Sequence, residues 1–165
     1  DIKIITHNVI YQIIEEYEKW RDAEIKKEEA KELEKVVMPC KMQIMPGCVF
    51  RQSNPAVVGV RILEGKLKPN TEIIKGDGSK CSYVKSIQSQ GENVAEAKKN
   101  DEVAISIPNV TVGRQIDEND TLLSNIHEED FKKLKKMKKF LNRGEIEVLK
   151  EIAELKRKEK AMWGI

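Results

Sequence analysis

Val57-Val58-Gly59-Val60-Arg61-Ile62 is a short β-prone run with no helical period. It does not stand alone. Similar runs occupy residues 41–44, 72–74, 82–87, 102–107 and 121–123, all between Pro39 and Ile126. The stretches between them are turn-like: Pro46-Gly47, Lys68-Pro69-Asn70, Gly76-Asp77-Gly78, Gln90-Gly91 and Asn100-Asp101. Asp-Gly between two β-prone runs is a hairpin signal. About six short strands at this spacing define an all-β unit, a barrel or a sandwich. Asn70, Asn100 and Asn119 each precede a strand, where left-handed backbone is often required and asparagine tolerates it.

On either side the texture is helical. Ile2, Ile4 and Ile5 read as the end of a strand, and Asn8 as an N-cap. Val9, Ile10, Ile13, Ile14, Tyr17 and Trp20 then follow the i, i+3, i+4 spacing of an amphipathic helix. Beyond Trp20 the stripe thins to Ile25, Ala30 and Leu33, and lysine and glutamate fill the faces, as in the pairs Glu24–Lys27 and Glu28–Lys31. A continuous helix over residues 9–36 would span about 42 Å. The apolar residues keep no heptad, so a rigid spacer is favoured over a coiled coil.

After the β region, residues 128–141 place Phe131, Leu134, Met137, Phe140 and Leu141 on one face and six lysines between residues 132 and 139 on the other. Asn142-Arg143-Gly144 interrupts, and Ile146, Leu149, Ile152, Ala153 and Leu155 build a second stripe. Two antiparallel helices on a short turn are expected. The ending Met162-Trp163-Gly164-Ile165 is apolar, where termini are usually polar and loose.

Composition narrows the function. Charged residues make up 35% of the 165, above the roughly 25% of an average domain; long solvated helices accommodate the excess. The net charge is +2, distributed as about −3, +1 and +4 over residues 1–36, 37–126 and 127–165. No apolar run reaches the ~20 residues of a membrane span, and Asp1-Ile2-Lys3 does not open a signal peptide. Three cysteines, Cys40, Cys48 and Cys81, cannot all pair, which suits a reducing cytoplasm. A zinc site would need about four ligands, and His7 and His127 lie far off in sequence, so buried thiols are expected and no metal. There is no phosphate-loop spacing and no nucleophile elbow, so catalysis is not expected.

What remains is binding. The lysine face could neutralise phosphates or simply be solvated. Phe50-Arg51 could stack and pair with a phosphate, or be a core Phe beside a surface Arg. Trp163 could anchor a partner or dock the chain's own tail.

The order of motifs adds more. Asn8-Val9-Ile10-Tyr11 with Tyr17-Glu18-Lys19-Trp20, then the run from Pro46-Gly47-Cys48-Val49-Phe50-Arg51 to Val60, resembles archaeal and eukaryotic translation initiation factor 5B, relatives of bacterial initiation factor two. Lys68-Pro69-Asn70-Thr71, Glu102-Val103-Ala104-Ile105-Ser106-Ile107, Gly113-Arg114-Gln115-Ile116 and the ending Leu155-Lys156-Arg157-Lys158 with Trp163-Gly164 extend the likeness over essentially the whole chain.

The resemblance implies the C-terminal portion of a cytoplasmic GTPase that promotes ribosomal subunit joining, with GTP and magnesium bound upstream of this chain. Residues 1–7 would end a preceding α/β domain and residues 8–36 would be the connector helix. Residues 37–126 would be a closed antiparallel β-barrel of the translation-factor second-domain type, and residues 127–165 a two-helix subdomain, in a monomer. The barrel would hold the acceptor end of methionylated initiator tRNA through Gly47, Cys48, Phe50, Arg51, Gln88, Glu102, Ala104 and Arg114. Cys48, Phe50 and Ala104 would form an apolar cup for methionine, and Arg51 and Arg114 would meet the last phosphates. Gln88 stands where bacterial relatives carry a basic residue. The C-terminal helices would bind the tail of initiation factor 1A, with Phe131, Leu134, Leu155, Trp163 and Ile165 as contacts. The alternative is a protein-only helix–barrel adaptor.

Overall fold

The structure, a computed structural model, describes Ile4, Ile5 and residues 10–165. The expected N-cap Asn8, together with His7 and Val9, lies outside the described residues, as do residues 1–3 and 6. Ile4 and Ile5, expected at a strand end, belong to no strand among the described residues. The chain divides after Val36 into two units.

The first unit is dominated by one helix, α1 (Ile10–Lys35), of 26 residues and therefore about 39 Å long. It buries no residue. Ile10, Tyr11, Ile14, Tyr17 and Ile25 are exposed, while Ile13 and Trp20 are half-buried. Within the helix, side chains three and four residues apart can shelter one another. Tyr17 and Trp20, three residues apart, do so with ring centroids 6.0 Å apart.

The second unit carries nine strands: β1 (Cys40–Arg51), β2 (Ala56–Leu67), β3 (Glu72–Lys75), β4 (Lys80–Tyr83), β5 (Ser86–Ser89), β6 (Glu92–Asn93), β7 (Ala97–Lys98), β8 (Glu102–Ile107) and β9 (Thr121–Ser124). They hydrogen-bond in the order β4-β3-β9-β1-β2-β8-β5-β6, with β7 attached to β2. Alternation along the strands sends Met42 and Ile44, Val58 and Val60, and Ile105 and Ile107 into one apolar core. Ile74 and Leu123, paired across β3 and β9, are also fully buried but lie outside that core.

The closed barrel expected from the sequence is not what forms. The ladder is open, an open half-barrel whose ends are β4 and β6. The reason lies in the run expected as a single strand over residues 82–87. It divides at Val84-Lys85 into β4, which pairs with β3, and β5, which pairs with β8. At the division the Val84 N–H donates to the Thr71 carbonyl at 2.9 Å, and the Lys85 N–H donates to the Ser106 carbonyl at 2.7 Å. The seam is thus spanned along the chain rather than by a ladder.

Turn chemistry follows the asparagines: Asn70, Asn100 and Asn119 have φ of 62°, 70° and 67°, in the left-handed region. Pro46-Gly47, by contrast, makes no turn between strands. It lies inside β1, where residues 45–48 form an excursion opposite the single residue Gly59, between the pairs Ile44–Val60 and Val49–Val58.

Helix α2 (Glu128–Lys136) buries Phe131 and Leu134, and a short 3-10 turn (Lys138–Phe140) leads to α3 (Arg143–Glu159). Phe140, expected on the inner face, is 36% exposed because the helix ends before it. Asn142-Arg143-Gly144, expected as a break, also starts α3. The Asn142 side chain accepts the Glu145 N–H at 2.8 Å, and Glu145 accepts the Asn142 N–H at 2.9 Å, a reciprocal cap. An ion pair from Lys41 Nζ to Glu151, at 2.8 Å, ties α3 to β1.

Candidate functional site

Helix α3 meets β1 and β2 at Lys41 and Glu64. Farther along, at Gly59, Ala104 and Gln88, the outer face is lined by no helix residue among those described, and its shape there follows from two small residues. Gly59 on β2 stands opposite Ala104 on β8, and Ala104 stands opposite Gln88 on β5. Where neighbouring strands carry glycine and alanine side by side, the sheet surface is dented. The β1 excursion forms one wall, with Met45 and Phe50 overhanging the dent, and Gln90-Gly91 forms the other. The result is a cavity of about 280 Å³.

Cys48 sits at its edge, half-buried; a methyl on Gly59 would stand 2.7 Å from Cys48 Cβ. Phe50 is 69% exposed, an aromatic side chain held over open solvent. Gln88 is fixed by donating from Nε2 to Asn93 Oδ1 at 3.1 Å. On the polar rim, Arg61 donates to Glu102 from Nε at 3.0 Å and from the guanidinium terminus at 2.5 Å. Both bonds end on Oε1 of Glu102. A second depression, of about 420 Å³, shares Gln90, Glu102 and Val103 with the first and adds Glu96 and Asp101. The groove therefore runs from an apolar end to an acidic one.

Of the eight residues expected at the acceptor site, the structure brings Phe50, Gln88, Glu102 and Ala104 to the cavity and Cys48 to its edge. Gly47 is exposed beside it with φ of +70°. The two cations are not in the cavity lining. Arg51 is exposed at the end of β1, and Arg114 is exposed in the turn closed by the Gly113 N–H on the Ile116 carbonyl at 2.9 Å. Met45, Gly59, Gln90, Gly91 and Val103 complete the lining and are not among the eight. The available signal was Gly59, a glycine within a strand, which marks a close approach of other atoms.

The residues expected to meet a partner separate more sharply. Phe131 lines a groove of about 210 Å³ between α2 and α3, floored by Ile146, Leu149 and Ala153 and bordered by Lys135, Lys138, Lys150 and Arg157. Leu134 is fully buried and does not line the groove. Trp163 is turned inward, its ring centroid 4.7 Å from that of Phe131, and Arg157 Nε donates to its carbonyl at 3.1 Å. Leu155 lies against Gly78 of the β3–β4 turn, where a methyl on Gly78 would be 3.7 Å from its Cβ. Ile165 is exposed.

The thiols are free. Burial, and secondarily the nearby Glu145 carboxylate, pushes Cys40 up to about 12, and burial also raises Cys81. Among the described residues no group of three histidine, cysteine or acidic side chains is placed to hold a metal. Gly76-Asp77-Gly78-Ser79-Lys80 is a hairpin turn, its Asp77 carboxylate accepting the Ser79 N–H at 2.8 Å, and it leads into a strand rather than a helix.

The family model described as elongation factor Tu domain 4 matches residues 38–123. Proteins named probable translation initiation factor IF-2 match over 99% of the chain: that of Methanocorpusculum labreanum at 46% identity over 165 residues and that of Methanospirillum hungatei at 47% over 164. The chain covers 28% and 27% of those two proteins, little more than a quarter of their length. Among solved structures it is similar to the GDP-bound aIF5B of Aeropyrum pernix, with 33% identity and a TM-score of 0.80 over 96% of this chain and 27% of that one.

The open β-domain with a pocket on its outer face is thus a translation-factor domain. The chain belongs to the elongation factor Tu domain 4 family, and the relatives matching nearly all of it are archaeal initiation factors of the IF-2/5B type.

Proposed function

We propose that this chain is the C-terminal portion of a translation initiation GTPase and that it holds the acceptor end of methionylated initiator tRNA on the outer face of its sheet. The carrying observation is the Gly59–Ala104 dent walled by Met45 and Phe50. It is apolar at the end where a thioether side chain would lie. An exposed Phe50 offers a stacking surface for a terminal base, and Arg51 beside it supplies charge for a phosphate. In this reading α1 gives reach, the domain gives recognition, and the activity is binding in support of ribosomal subunit joining. Titration with methionylated and with uncharged initiator tRNA tests it. Tighter binding of the charged form is expected; equal, weak binding of both overturns the cup.

The α2–α3 groove favours a second role alongside the first. An apolar floor ringed by four cations and one acid, Glu154, suits a peptide that is both apolar and acidic. We assign this groove, with Phe131 at its edge, to the tail of initiation factor 1A. Phe131→Ala weakens that complex in this reading, and an unchanged affinity removes it in favour of tRNA binding alone.

A further inference from the structure

We infer that the lysine face of α2 and the following 3-10 turn is a second nucleic-acid surface, one that grips single-stranded RNA through its phosphates without reading sequence. Six of the eight residues 132–139 are lysine, and the other two, Leu134 and Met137, are buried. The whole solvent side of this segment is therefore cationic.

The pattern differs from that of an ordinary solvated helix. In α1 lysine and glutamate alternate, and Lys27 pairs with Glu24 at 3.7 Å. In α2 the acids stop after the first turn, at Asp130, and the next in sequence is Glu145. Lys132 is held by Glu128 at 3.3 Å. Lys133, Lys135, Lys136 and Lys138 form no ion pair within 4.0 Å among the described residues. Lys132 with Lys135, Lys132 with Lys136, and Lys133 with Lys136 are like-charge pairs at i,i+3 and i,i+4, each of which destabilises a helix. A polyanion laid across the face relieves that repulsion.

The arrangement selects the kind of polyanion. Lys135 and Lys138 border the α2–α3 groove, but Lys133 and Lys136 do not line it. An acidic peptide seated in the groove leaves those two unused, whereas a backbone with regularly spaced charges can cross the helix and engage all four. Lysine is a point charge that suits phosphate oxygens without fixing base identity. At the end of the row Phe140 is 36% exposed, with Lys139 Nζ 5.1 Å from its ring centroid, giving a base one aromatic face on which to stack.

The test uses this chain and a 20-nucleotide oligouridylate, which has no aminoacyl end for the cup to hold. Affinity is measured by fluorescence anisotropy between 50 and 200 mM salt. Four phosphates neutralised on a single strand give a slope of log K against log salt of about −3, a loss of about fifty-fold over that range. The K133Q/K136Q variant, altered only outside the groove, flattens the slope by about 1.4. K133Q/K135Q/K136Q/K138Q removes most of it, with circular dichroism confirming that the helices persist. No binding at 50 mM salt, or an unaltered slope in the fourfold variant, overturns the inference. So does an acidic polyglutamate peptide that binds with this slope when the RNA does not.

Discussion

Gly59 and Ala104 face each other across β2 and β8, and a β-carbon on Gly59 would stand 2.7 Å from that of Cys48. The β1 excursion therefore closes over Gly59 with no room for a methyl, and the same contact sets the edge of the cavity. Gly59→Ala is expected to destabilise the protein by about 1–3 kcal/mol, the usual cost of overpacking. Cys48→Gly in the same chain removes the opposing atom. The double variant should then recover at least ~1 kcal/mol relative to the sum of the single changes. Denaturant unfolding of the four proteins measures this coupling, and strict additivity would show that β1 adjusts freely.

Ala104 tests binding apart from folding. Its side chain points out of the core into the cavity and is only half-buried, so Ala104→Leu fills the cavity without overpacking the interior. Affinity for methionylated initiator tRNA is expected to fall at least tenfold, about 1.4 kcal/mol, with the melting temperature unchanged. Filter binding and a thermal scan suffice. Retained affinity would overturn the assignment of the acceptor end to this cavity.

Cys40 makes stability depend on alkaline pH. Its thiol is neutral when protonated, and in the fold burial raises it from 9.0 to about 12. An unfolded chain releases this proton from about pH 9 upward, while the folded chain holds it until about pH 12. The contribution is therefore fully present below pH 9 and is lost as pH rises through that window. Cys40→Ala carries a cavity cost that does not vary with pH, so the gap between the two proteins should narrow between pH 9 and 11. Urea midpoints at pH 7, 9 and 11 measure it; parallel curves would mean that Cys40 ionises as readily in the fold as outside it.

The organisation of the chain was legible because period and punctuation agree over most of it. Period-2 runs lie between asparagine and glycine turns, and two stripes at helical spacing follow them. Local chemistry fixed the positive φ at Asn70, Asn100 and Asn119. What was not legible depends on non-local partners. Residues 82–87 read as one strand, and only the competing carbonyls of Thr71 and Ser106 decide that the chain changes partner at Val84-Lys85. Pro46-Gly47 carries a turn signal, but the ladder resumes at Val49–Val58 and absorbs it as an excursion. At the site, Cys48, Phe50 and Ala104 could be named from sequence, whereas the dent needs Gly59 beneath Cys48, a register that no local pattern reveals.

The tail offers the last test. Trp163 is 7% exposed against Phe131, and Gly164, with φ of +73°, leaves no space: a methyl there would stand 2.6 Å from the Phe131 ring. Gly164→Ala combines left-handed strain with this clash against a ring that is 7% exposed and packed on Trp163. The tail is expected to detach as a unit, exposing Trp163, at a cost of about 1–3 kcal/mol. Trp20→Phe in both proteins leaves Trp163 as the single tryptophan. Its emission should then shift to the red in Gly164→Ala and become accessible to acrylamide. Blue, shielded emission in that variant would mean that the Phe131–Trp163 pair holds without the glycine, and the close approach at Gly164 would be incidental to docking.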